Sequence, residues 1–183
     1  MTSIQGFFER AESYYSESLS LKSVKEAKAA AGLAAKDYWC AFVLGHPQAA
    51  LPLALCFTEG HGVRKDTHTG KLFFGIAKIL DERSCANYTD VISVPKSMDD
   101  EVIHLWETFS KTQSMFADQM RSNVEIDMSI IDKQFNHFSN YFVVDHGTVV
   151  DYFINHPTNE PSETVPLSGA DSDSGCCGGC VLF

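Results

Sequence analysis

Apolar positions recur at helical spacing along this chain, which reads as helical throughout. Ile4, Phe7, Phe8, Ala11, Tyr14 and Tyr15 share one face of a first predicted helix, with Thr2 and Gln5 placed as a capping box. Ser23-x-x-Glu26 is a second capping box. The alanine-rich run behind it continues through Tyr38, Trp39 and Phe42 to Leu44, where Gly45 stops it. A short apolar helix is predicted from Pro47 to Phe57 and a turn at Gly60-His61-Gly62-Val63. A helix N-capped by Asp66 follows, carrying Leu72, Phe73, Ile76, Ile79 and Leu80. Asp81 to Lys96 reads as a helix end and then a connection, within which Val91-Ile92-Ser93-Val94 could run extended.

Beyond it, Ser97-x-x-Asp100 and the acids Asp99, Asp100 and Glu101 suit a helix start through both capping and the helix dipole. Val102, Trp106, Phe109, Phe116 and Met120 make one stripe. Asp127 begins another, in which Ile131, Phe135, Phe138 and Phe142 are spaced four, three and four apart. Gly147 is a stop, and Thr148-x-x-Asp151 caps a last short helix that closes at His156-Pro157. Aromatic stripes of this kind belong to a core rather than a cofactor box. The predicted fold class is therefore all-α, an antiparallel helix-turn-helix stack.

Length and composition bound this picture. A chain of 183 residues, 44% hydrophobic, buries one core, so residues 1–156 are expected to form one helical domain. Residues 157–183 are rich in Pro, Ser, Thr, Gly and acids, and are expected to be a disordered acidic tail. With a formal charge of −10, nucleic acid is a poor partner. The residues after Met1 lack the basic region, apolar run and cleavage site of a secretory signal, and Thr2 excludes myristoylation. From Tyr38 to Thr58 no Asp, Glu, Lys or Arg occurs, but Gly45, Pro47 and Pro52 divide the stretch into two helices and argue against a membrane span. Cys40, Cys56 and Cys85 sit alone in apolar surroundings and read as buried free thiols in a reducing cytosol.

The remaining cysteines, Cys176, Cys177 and Cys180, lie within the final eight residues. Cys180-Val181-Leu182-Phe183 is the C-a-a-X pattern read by protein prenyltransferases, with Phe in the last place pointing to a geranylgeranyl group. Cys177-Gly178-Gly179-Cys180 lacks the second ligand pair of a structural zinc site and the strand-to-helix setting of a redox motif. One prenyl chain binds a membrane only marginally, so a second signal is expected. No polybasic run supplies it, which makes Cys176 and Cys177 candidates for S-palmitoylation.

The run Ala50-x-x-Leu53-x-x-x-Phe57-x-x-Gly60-x-Gly62-Val63-x-x-Asp66, followed by Lys71, Phe73, Phe74 and Ala77, resembles one Sel1-like repeat, a relative of the tetratricopeptide repeat. The likeness covers about residues 47–80, and its sharpest part is the turn of Gly60, Gly62, Val63 and Asp66. Ala54 stands where the family usually has Gly, and Gly70 where it usually has Ala. Ala35-x-x-Tyr38-Trp39 with Phe42-Val43 echoes the second helix of a degenerate neighbour. Such repeats bury their faces only by stacking, so the flanking helices should complete the stack. The resemblance implies a scaffold that binds a protein partner.

Other chemistry is thin. The Gly70-Lys71 pair lacks the first glycine and the following Ser or Thr of a phosphate loop, which excludes a Ras-like GTPase. No G-x-S-x-G, H-E-x-x-H or Rossmann glycine pattern is present. The expectation is a non-enzymatic adaptor with no cofactor and no metal. It would be modified by a eukaryotic prenyltransferase and displayed on the cytosolic face of a eukaryotic membrane. A repeat body joined to this tail resembles effectors that intracellular bacteria deliver for lipidation by their host. Two alternatives stay open: an enzyme on an all-α frame using groups such as His104, His137, Asp145 and His146, and a soluble helical protein whose cysteine end is accidental.

Overall fold

The computed structural model describes residues 3–121 and Phe138. Six α-helices run in order: α1 (Ile4–Ser20), α2 (Val24–Val43), α3 (Ala50–Glu59), α4 (Thr67–Leu80), α5 (Glu82–Cys85) and α6 (Asp99–Arg121). Single 3-10 turns occupy Ala86–Tyr88 and Lys96–Met98, and the described residues include no strand. The all-α expectation holds. Three residues join α1 to α2, which pack along one another as an antiparallel hairpin. A second hairpin pairs α3 with α4, and α6 packs on α4 and reaches α2.

Aromatic rings fill the centre. Phe42, Phe57, Phe73, Phe109 and Phe116 are fully buried, each worth about 1.5–3 kcal/mol by removal from water. Phe42 meets Phe109 edge-on at 4.8 Å between ring centroids, and Phe57 stacks on Phe73 at 5.5 Å. Trp39 stands edge-on to Phe109, and Phe138 closes the group at 5.3 Å from Trp39 and 5.6 Å from Phe73. Helix α2 is covered on almost every side because Ala29, Ala30, Ala31, Gly32, Ala34 and Ala35 let neighbouring backbones come close.

Several local expectations are corrected. The N-cap of α1 is Ser3, whose hydroxyl accepts from the Gly6 N–H at 2.9 Å, so Thr2 and Gln5 are not the capping pair. Helix α3 begins at Ala50 rather than Pro47, after a turn in which Gly45 takes a φ of 99°. Pro52 still falls within the first turn, where its missing N–H breaks no helical bond. The segment after Asp81 is more than a connection: the Asp81 carboxylate caps the short α5 by accepting from the Arg83 and Ser84 amides. Val91–Val94 forms no strand, and Ile92 alone of the four is buried. The 3-10 turn at Lys96–Met98 leads directly into α6. There Val102, Phe109 and Phe116 are buried as the stripe requires, while Trp106 and Met120 are half-buried.

The uncharged stretch Tyr38–Thr58 is split between α2 and α3, and none of the described helices is long and apolar enough to cross a membrane. Ile131, Phe135, Phe142, Gly147, Thr148, Asp151, His156 and the 157–183 tail lie outside the described residues.

Candidate functional site: the α3–α4 turn and its groove

The turn predicted from four residues is built by those four. Helix α3 ends at Gly60, which takes a left-handed φ of 80°, and the amides of Gly60 and His61 both donate to the Cys56 carbonyl. Gly62 takes a φ of 73° and lies directly on α2: a Cβ there would stand 2.0 Å from the Ala31 carbonyl oxygen. Val63 is buried behind it. The Asp66 amide donates to the Phe57 carbonyl at 2.8 Å, closing the loop. Its carboxylate accepts from the amides of His68 and Thr69 and from the Thr69 hydroxyl. Ala54 and Gly70 face each other across this hairpin, since a Cβ on Gly70 would meet the Ala54 carbonyl at 3.1 Å and the Thr58 hydroxyl at 2.3 Å.

Outside the turn is a groove of about 250 Å³ between the end of α1, the start of α2 and Gly60–Gly62. Ser18, Leu21, Lys22, Val24 and Lys28 line it with His61. The Ser18 hydroxyl donates its only hydrogen to the Tyr15 carbonyl at 2.6 Å, so at 2.8 Å the His61 Nε2 must be the donor to Ser18 Oγ. His61 also stands edge-on to Tyr15, and burial pushes its pKa below the usual histidine value despite the opposing pull of Glu59. The ring is thereby a neutral strut pinning the turn to α1.

A second concavity, of about 230 Å³, is lined by Phe8, Glu12, Leu51, Pro52, Asp81 and Cys85 among others. The Tyr38 hydroxyl donates to Glu12 on its floor, and burial followed by that bond raises the tyrosine pKa. Near it His46 stacks on Phe8 with centroids 4.2 Å apart. Gln5 donates through Nε2 to Glu9, so its Oε1 accepts from His46 Nε2 at 3.1 Å. His46 Nδ1 is buried with no hydrogen-bond partner, and burial lowers its pKa.

Between these two places Arg10 reaches Asp37 with two nitrogens, at 2.5 and 2.7 Å. The bonds hold the guanidinium charged. Burial nevertheless raises the Asp37 pKa, because desolvation of this nearly enclosed carboxylate outweighs the help from Arg10.

The enzyme alternative finds no assembly among the described residues. His104 is exposed on α6, and His137, Asp145 and His146 lie outside the described residues. No group of three or more His, Cys, Asp or Glu able to hold a metal occurs among the described residues. Cys40, Cys56 and Cys85 are buried free thiols, and burial pushes Cys56 up to about 12. Cys176, Cys177 and Cys180 lie outside the described residues. Sequence reasoning passed over the groove. Its trace is a pair of cations, Lys22 just before the N-cap of α2 and Lys28 within the helix. No family model, no curated protein and no solved structure matches this chain.

Proposed function

We propose that this chain is a non-enzymatic protein-interaction adaptor held at the cytosolic face of a eukaryotic membrane, geranylgeranylated at Cys180 and S-palmitoylated at Cys176 or Cys177. The observation that carries the reading is the grouping of those three cysteines with Val181-Leu182-Phe183 in a glycine-rich, unusually cysteine-dense stretch. The two stacked hairpins support the adaptor role. They present helix faces as a repeat stack does, and the α3–α4 hairpin with its Gly60, Gly62, Val63 and Asp66 turn supports a Sel1-like reading of residues 47–80. A eukaryotic prenyltransferase is then the first partner, and a host-modified bacterial effector is one source that fits.

The transferase reads its pattern only at a free carboxyl end, so the test begins with the C-terminal peptide of protein made in eukaryotic cells. Its mass should show Val181–Phe183 removed and a lipid gained on Cys180. The Cys180→Ser variant should leave the membrane fraction. An unmodified peptide still ending in Phe183 would refute the anchor.

A further inference from the structure

We propose that the tip of the α1–α2 hairpin, together with the adjoining α3–α4 turn, is a docking surface for an anionic lipid bilayer. The sequence contains no polybasic run, but the fold assembles a patch from two segments. Lys22 in the connection and Lys25 and Lys28 at the start of α2 are exposed, and Arg64 and Lys65 are exposed just after the turn. Close packing joins the segments. Gly62 sits on the Ala31 carbonyl, Gly60 and Gly62 line the same groove as Lys22 and Lys28, and the Lys65 Cβ is 3.0 Å from where a Gly60 Cβ would be.

Charge and exposed apolar surface coincide there. The five cations are accompanied by four acids, Glu17, Glu26, Glu59 and Asp66, whereas the remainder of residues 3–121 carries eight bases and eleven acids. This is the positive side of a negative protein. At its apex Leu19 is 67% exposed and Val24 70% exposed, the two most exposed large hydrophobic side chains among the described residues. Apolar side chains ringed by lysines suit the headgroup boundary of an anionic leaflet: the lysines meet phosphate and carboxylate while the two aliphatic tips enter the acyl edge.

The inference goes beyond the anchored-adaptor reading and rests on it only for the bilayer being within reach. Forty-one residues separate Phe138 from Cys180, and even at a helical rise they can span about 60 Å, more than the body's diameter. A lipid at Cys180 therefore leaves open which side of the body faces the bilayer, and this surface would decide it. It would also give the single prenyl chain an additional membrane signal.

Vesicle co-sedimentation of the full chain, made without lipid in bacteria, tests the surface separately from the anchor. Partition onto vesicles of 40% phosphatidylserine in phosphatidylcholine should exceed that onto phosphatidylcholine alone and fall with salt. Each lysine neutralised should cost about five-fold, so Lys22→Gln with Lys28→Gln should lose roughly 25-fold. Val24→Asp should also weaken binding, while Lys96→Gln with Lys111→Gln, in the 3-10 turn before α6 and on α6, should leave it unchanged. Helical circular dichroism of each variant checks folding. Equal partition onto the two vesicle types, or equal losses from both lysine pairs, overturns the proposal. So does capture by polyglutamate with vesicles ignored, which would mark a surface for acidic polypeptides. The mass of Cys180 affects none of these outcomes.

Discussion

Gly62 offers the sharpest test of the packing, because Gly45 supplies a matched control. Both take a positive φ, 73° and 99°. They differ in their surroundings: a Cβ on Gly45 finds nothing nearer than Gln113 at 3.9 Å, whereas one on Gly62 would overlap the Ala31 carbonyl carbon at 2.3 Å and its oxygen at 2.0 Å. Alanine at either site forces a left-handed conformation on a side chain, costing about 1–2 kcal/mol, offset by about 0.4–1 kcal/mol from a stiffer unfolded chain. At Gly62 the turn must also lift off α2, adding about 1–3 kcal/mol of overpacking. Gly45→Ala should therefore cost about 1 kcal/mol or less and Gly62→Ala about 2–4 kcal/mol. In a domain of this size the difference corresponds to roughly 8 °C in Tm, at about 4 °C per kcal/mol. Urea and thermal unfolding followed at 222 nm measure both variants. If Gly62→Ala unfolds no earlier than Gly45→Ala, the contact between turn and α2 is not as tight as described.

Two further predictions concern buried charge. Arg10→Ala strands the Asp37 carboxylate, whose side chain is 9% exposed; because Arg10 itself is 39% exposed, the loss at pH 7 should be about 2 kcal/mol rather than the larger cost of a fully buried pair. A stranded acid with a raised folded-state pKa regains stability as pH falls toward that pKa, so urea midpoints of variant and wild type should converge as the solution is acidified, and a pH-independent gap would refute the account. His46 has the opposite sign. Its folded-state pKa is depressed, so the unfolded chain takes the proton first and stability should decline as pH drops below about 6.5. His46→Phe, which keeps the stack on Phe8, should flatten that decline, and an unchanged pH profile would show that another group controls it.

Local signals carried the hairpin geometry into the sequence. Asp66, Ser23 and Gly60 act within three or four residues of their partners, and each cap or stop appears where its residue type indicates. Where two adjacent residues could serve equally, residue type alone did not choose between them. Ser3 rather than Thr2 caps α1, while Gln5 is engaged by Glu9 and by His46, 41 residues away. Ala54 and Gly70 are far apart in sequence, and their contact exists only when α3 and α4 are paired. Arg10 with Asp37, and Ser18 with His61, are 27 and 43 residues apart, so no periodicity reveals them. The groove was equally hidden, because its wall combines the first hairpin with Gly60, His61 and Gly62 of the turn.

Phe138 ties the completion of the core to the order of synthesis. Trp39, Phe73 and Phe109 have all been made by the time the ribosome passes residue 109, yet the ring they enclose is encoded 29 residues later. At about 5–20 residues per second, that leaves a nascent chain with an unfilled aromatic socket for roughly 1–6 s. During that interval the helices before it can pair, but their shared interior stays open to water and to chaperones.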